Sequence, residues 1–326
     1  MNAMRIAAVA ATVAISGSSA MAQSGPSFWS HEWPDTDFSQ TSVDFIEILS
    51  GGPPKDGIPA VDDPQFVTVS DVEGIGAREP VVTVEIEGAR PRTYPIRYLT
   101  WHEIVNDRID GVPVTVTFCP LCNSAIVFDG RTEMGELTFG VSGKLRNSDM
   151  IMYDRQTESW WQQFTGEAIV GKLLGASLTT LPSWMESYAE YTARNPDGLV
   201  MAQPPALRPY GTNPYEGYDG SYRPFLYSGE MPPHDIEPLS RVVRVGDTAW
   251  PLTRLSEAGE IVEDGVRITW VSGQASALDS RDISKGRDVG TIRVFDAETG
   301  APVAHEVVFA FAFHAFSPEG TWRLGS

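Results

Sequence analysis

The sequence predicts a β-rich α+β fold, one compact domain built from two diverged internal β-rich repeats. Three observations predict it. Short apolar segments with period-two alternation recur along the chain. Helical periodicity is confined to two stretches. A set of motifs in the first half returns in the same order in the second.

The strand segments are residues 81–86, 114–118, 137–141, 151–153, 242–245, 266–271 and 307–313, punctuated by Gly, Pro and Asp. Alternation with such punctuation is how half-buried strands read. Helices are expected over residues 98–109 and 183–194, the second opening after Pro182 and stopping before Asn195-Pro196-Asp197-Gly198. Residues 203–234 are rich in Pro, Gly and Tyr. So many aromatic groups can bury surface, so the segment reads as a long ordered loop placed to cover a site.

The repeat is the most informative feature. One copy, about 78–182, carries Tyr94-Pro95, then Glu103-Ile104-Val105-Asn106-Asp107, then Gly111 and the apolar run 114–118. The other, about 238–326, carries Trp250-Pro251, then Glu260-Ile261-Val262-Glu263-Asp264, then Gly265 and the run 266–270. Shared residues are explained by a common fold, with Glu103 expected over Glu260 and Asp107 over Asp264. Residues in one copy only are not needed for that fold. These are His102, Cys119 and Cys122, which places function in the first copy.

The N-terminus reads as an export signal. Arg5 precedes an apolar run at residues 6–15, and Ala20-Met21-Ala22 is a cleavage pattern. Residues 1–22 are thus a signal peptide and 23–326 a single mature domain, periplasmic or secreted. The run is too short to span a bilayer roughly 30 Å thick, and no membrane span is expected elsewhere. A net charge of −19 over 326 residues argues against nucleic acid as a partner. The acidic residues are scattered, as on a solvated surface. No substrate or protein partner is assigned by these features.

Only two cysteines occur, in Phe118-Cys119-Pro120-Leu121-Cys122-Asn123. A disulfide closing so short a loop constrains the unfolded chain by only about 2 kcal/mol, a poor staple for a chain long enough to bury a large core. Thiol–disulfide exchange would need a helix N-terminus after the pair, whereas Asn123 to Asp129 is apolar and ends in Asp129-Gly130, which is turn chemistry. A soft-metal site is the leading reading. Two adjacent thiolates suit Cu(I), zinc or iron–sulfur chemistry, and four-cysteine sites are excluded by count. The candidate metal ligands are Cys119, Cys122 and His102, with His314 or Met152 as a fourth. Soft ligation in an exported protein favours copper. No G-x-S-x-G elbow, H-E-x-x-H helix or phosphate-cradling loop occurs, so no catalytic residue is assigned.

The runs Trp101-His102-Glu103-Ile104-Val105-Asn106-Asp107, Cys119-Pro120-Leu121-Cys122-Asn123-Ser124, Arg146-Asn147-Ser148-Asp149 and Met152-Tyr153-Asp154-Arg155-Gln156-Thr157-Glu158-Ser159 resemble a family of exported prokaryotic proteins. The family is catalogued as a domain of unknown function, number 3179. The resemblance implies export and covers most of the mature chain, but it transfers no reaction. The expectation is therefore an exported protein with a soft-metal or redox site at the C-x-x-C. The alternatives are a metal-free thiol–disulfide oxidoreductase and a non-catalytic binding module with an inert disulfide.

Overall fold

The computed structural model describes residues 26–325; the expected signal peptide lies outside them. Among these residues, no helix is long and apolar enough to cross a membrane.

The chain is β-rich, 36% strand against 14% helix, and among the described residues no helix exceeds seven residues. Helix therefore serves as connections between strands, so the helical share that an α+β class implies is not what this chain shows. Five small sheets stand in a propeller-like arrangement. One is an antiparallel meander of Phe139–Arg146, Asp149–Asp154, Trp160–Gln162 and Glu167–Val170, with Ile48–Ser50 on its edge. A second joins Ile104–Ile109, Val112–Cys119 and Ser124–Asp129, with Val61–Asp62 added in parallel. Their buried faces merge in one core cluster that contains Val116, Phe118, Met152, Trp161 and both cysteines.

Both expected helices are half strand. Ile96–His102 is helical, but Glu103 takes φ 59°, ψ −33° and ends it, and Ile104–Ile109 is a strand. Ser183–Ser187 is likewise a strand, and the helix begins at Tyr188, where the Ser187 hydroxyl accepts the Glu190 N–H. In each case β-branched or aromatic residues that find a pairing partner override a weak helical pattern. The segment 307–313 also divides, into strand Glu306–Phe309 and helix Ala310–Phe316.

Two segments share an order of elements. Pro80–Val84, Arg92–Pro95, helix Ile96–His102, Ile104–Ile109, Val112–Cys119 and Ser124–Asp129 form the first. Arg241–Val245, Thr248–Pro251, helix Leu252–Ala258, Glu260–Glu263, Val266–Val271 and Thr291–Asp296 form the second. The pairings agree too: Val82 faces Tyr94 as Val243 faces Trp250. The residue correspondence differs from the one the motifs suggest. Glu103 caps its helix through an N–H to Leu99, as Gly259 does to Leu255, so Glu103 corresponds to Gly259 rather than Glu260. Asp264 corresponds to Asp110, since both open hairpin turns with a following glycine at positive φ. Asp107 instead accepts from Tyr94, as Glu263 does from Trp250. The shared E-I-V-x-D string lies one residue out of structural register.

Candidate functional site

The C-x-x-C is the tip of a hairpin. Cys119 pairs with Ser124 across the strands, leaving Pro120 to Asn123 as the turn. The Cys122 N–H donates to the Cys119 carbonyl (3.3 Å) and the Asn123 N–H to that of Pro120 (3.2 Å). Asn123 supplies the positive φ of 52°, a conformation Asn tolerates. The second half of the chain pins the tip. The Phe309 N–H donates to the Cys122 carbonyl at 2.9 Å, and the Asn123 amide donates to that of Val307 at 2.7 Å.

Both thiols are free and buried. The third member of the group is Asp149, whose carboxyl oxygen lies, with the two sulfurs, in a set of atoms all within 4.8 Å of one another. Asn147 and Ser148, at φ 51° and 64°, turn the chain so that Asp149 opens its strand against the hairpin tip. Its Oδ2 accepts the Gln162 amide (2.7 Å) and the Phe164 N–H (2.9 Å). Its Oδ1 is buried with no hydrogen-bond partner. The Cys119 thiol points to the Ser148 carbonyl at 3.9 Å.

Burial makes every member of the group resist ionisation. Burial raises the Asp149 carboxyl to about 6, even though the bonds from Gln162 and Phe164, and then the neighbouring thiols of Cys119 and Cys122, pull the other way. Burial likewise pushes both thiols up, Cys122 the further. Glu103 belongs to the same environment. Burial, then the charge of Asp149, raises it to about 8. A buried anion is costly unless paired, and no positive side chain offsets the burial of either carboxyl.

Beside the group lies a cavity of about 470 Å³, walled by Glu103, Leu121, Met150, Tyr215, Tyr218 and Phe225 among others. The thiols and Asp149 do not reach its wall. Lys144 does, but its ammonium goes to Glu32 (3.1 Å) over the rings of Trp29, Trp33 and Trp160. Tyr215, Tyr218 and Phe225 come from the Pro/Tyr-rich segment, which is ordered and does cover this site. The Tyr218 hydroxyl donates to the Leu121 carbonyl at 3.1 Å and accepts the Phe225 N–H at 3.2 Å. Ser148 donates to the Phe225 carbonyl. The lid thus holds both segments that carry the group.

Of the histidines singled out in the sequence, neither joins Cys119 and Cys122 in this group. His102 spends both nitrogens elsewhere. Nδ1 lies 2.7 Å from the Pro59 carbonyl, which can only accept, so Nε2 is the acceptor for the Tyr210 hydroxyl at 2.6 Å. No lone pair is left for a metal. His314 lies on helix Ala310–Phe316, half-buried, with Nδ1 unpartnered. Met152 faces Val141 and Trp161 across its strand and sits in the same core cluster as the cysteines. Asp149 and Glu103 are the residues that sequence reasoning passed over. Each stands inside a distinctive run, but only the tertiary contacts bring them together.

The fold and site define a β-rich, propeller-like protein with a buried thiol–carboxylate group beside a covered cavity. A family model described as "Protein of unknown function (DUF3179)" matches residues 55–320, and the chain belongs to that family. No curated protein and no solved structure matches it.

Proposed function

We propose that this is an exported metal-binding protein in which Cys119, Cys122 and Asp149 hold one thiophilic cation, zinc(II) ahead of copper(I). The observation that carries the reading is the unpartnered Oδ1 of Asp149, fully buried within 4.8 Å of two free thiols. Unsatisfied buried carboxylate oxygens are rare because they cost roughly 1–3 kcal/mol or more. A cation would satisfy it and the thiolates together. Tetrahedral ligation at a zinc–sulfur distance of about 2.3 Å sets donors roughly 3.8 Å apart, so the group needs to close by no more than about 1 Å. The carboxylate is what moves the balance from copper to zinc. Copper(I) prefers all-soft donors, whereas zinc accepts sulfur and oxygen alike. A divalent ion also offsets more of the three negative charges.

Thiol–disulfide exchange is the weaker reading. Exchange needs an exposed, acidified thiol, and here burial raises both. On the same proposal residues 1–22 are removed on export, the protein works outside the cytoplasm, and the two similarly ordered segments are diverged copies of one unit.

The test is metal analysis of protein purified from the exported fraction, with N-terminal sequencing. We expect Gln23 as the first residue and one equivalent of zinc per chain, lost in Cys119→Ser/Cys122→Ser. A folded wild-type protein that carries no metal, and takes up neither zinc(II) nor copper(I) after reduction, overturns the reading.

A further inference from the structure

We propose that Glu103 is the fourth donor to the ion and that the cavity it faces is the ion's way in, an inference that rests on the metal reading above. Of Cys119, Cys122, Asp149 and Glu103, Glu103 alone borders the cavity, whose wall also carries the exposed Glu216, and it feels the charge of Asp149. Leu121 and Met150, chain neighbours of Cys122 and Asp149, line the same cavity. A hydrated cation entering the cavity meets a largely aromatic and aliphatic wall that includes the buried Glu103 and the exposed Glu216. The basic residue of the wall, Lys144, is already paired with Glu32.

Two further observations single out Glu103. Its residue is 8% exposed, yet its only intramolecular bonds among the described residues come from its backbone. Its backbone carbonyl takes the Phe118 N–H, next to Cys119, at 2.8 Å, and its carboxylate does not lie within 4.8 Å of all three donors, so it must swing to reach the ion, with no side-chain hydrogen bond to hold it back. It also holds φ 59° at a helix end where the second segment has Gly259 at φ 72°. Such backbone costs a non-glycine residue about 1–3 kcal/mol, and Gly259 performs the same cap without it. The carboxylate therefore has a use that the cap does not explain.

The lid belongs to the same device. Tyr218 is bonded to Leu121, which lies between the two cysteines, and Phe225 to Ser148, which precedes Asp149. Exchange of the ion through the cavity must loosen these contacts. With Glu103 bound, zinc has four protein donors and no open position, which is the arrangement of a site that holds an ion rather than one that activates water.

The experiment is anaerobic titration and stopped-flow mixing of reduced, metal-free protein with Co(II) alone, then Zn(II) in competition. Wild type and Glu103→Gln are compared, with circular dichroism as a check on folding. Wild type should give thiolate-to-cobalt charge transfer and the intense d–d bands of a four-coordinate ion. Glu103→Gln should keep the charge-transfer band, weaken the metal at least tenfold, as loss of metal-site partners commonly does, and slow its uptake at least tenfold. Glu103→Asp, which keeps a shorter carboxylate, should fall between the two in uptake rate, and it decides the question if the glutamine variant does not fold. Uptake and affinity equal to wild type in the folded variant overturn the inference. Absence of any thiolate charge transfer in wild type instead overturns the metal reading itself.

Discussion

Replacing Glu103 with glycine should stabilise the metal-free protein, an unusual outcome for a buried residue. The side chain holds a positive φ with ψ −33°, worth about 1–3 kcal/mol of strain. It also buries a carboxyl that no side chain satisfies, whose removal recovers roughly a further 1 kcal/mol. Against this, glycine costs about 0.5–1 kcal/mol in unfolded-state freedom. The side chain borders an existing cavity, so its loss opens little new void. The net gain is about 1–3.5 kcal/mol, equivalent to roughly 2–14 °C in Tm for a large domain. Differential scanning calorimetry in a chelator at pH 7 reads it. The reciprocal change isolates the backbone term. Gly259 sits at φ 72° with no atom within 4 Å of where a Cβ would stand, so Gly259→Ala adds strain without a clash and should lower Tm by about 2–4 °C per kcal/mol. A Glu103→Gly protein that melts below wild type would show that the carboxyl stabilises the fold, and the case for an uncommitted donor would fail with it.

Both thiols should be silent to a thiol reagent in the native protein and react in guanidinium, since exposure is 2% at Cys119 and nil at Cys122 and burial disfavours both thiolates; a fast native reaction would revive the exchange reading. His102→Ala should cost about 1–3 kcal/mol by leaving the Pro59 carbonyl and Tyr210 hydroxyl unpaired, while bound metal, measured by emission spectrometry, stays at the wild-type level. Arg241→Ala should cost about 3–5 kcal/mol in a denaturant melt, because it strips a buried partner from Asp219, 3.0 Å away and itself fully buried.

Strand positions were legible because their signal is local. The segment 266–271 is a strand from its first residue to its last, and 114–118 lies inside one. Helix boundaries were less so, although one mark was present. Ser187-Tyr188-Ala189-Glu190 has the serine and glutamate of a capping box, and the Ser187 hydroxyl does take the Glu190 N–H. It fixed the helix start five residues later than the apolar pattern suggested. The C-x-x-C was visible as an anomaly, but its partner was not. Asp149 matters because Phe164, Gln162 and two sulfurs surround it, and those neighbours come from another sheet or a later strand. His102 drew attention for the opposite reason. A histidine near cysteines in sequence looks like a ligand, yet the helix carries it towards Pro59 and Tyr210.

The two segments also divide labour in a way that their motifs do not announce. In the first, strands Val112–Cys119 and Ser124–Asp129 are joined by the short turn that carries the thiols. In the second, the matching strands Val266–Val271 and Thr291–Asp296 are joined by a long connection, and that connection grips the lid. The Asn213 N–H donates to the Arg281 carbonyl at 2.8 Å and the Gly217 N–H to that of Asp279 at 2.7 Å. Ser276 and Arg287 bond the carboxylate of Asp219 at 2.6 and 3.1 Å. The hairpin tip is pinned by Val307 and Phe309 of the same half. Neither half therefore makes the site alone: one supplies the donors, and the other fixes the donor turn and the cover over it. A rigid cover and a pinned turn are what a buried donor set needs to keep its geometry while empty, since unpaired anions would otherwise draw in water or spread apart.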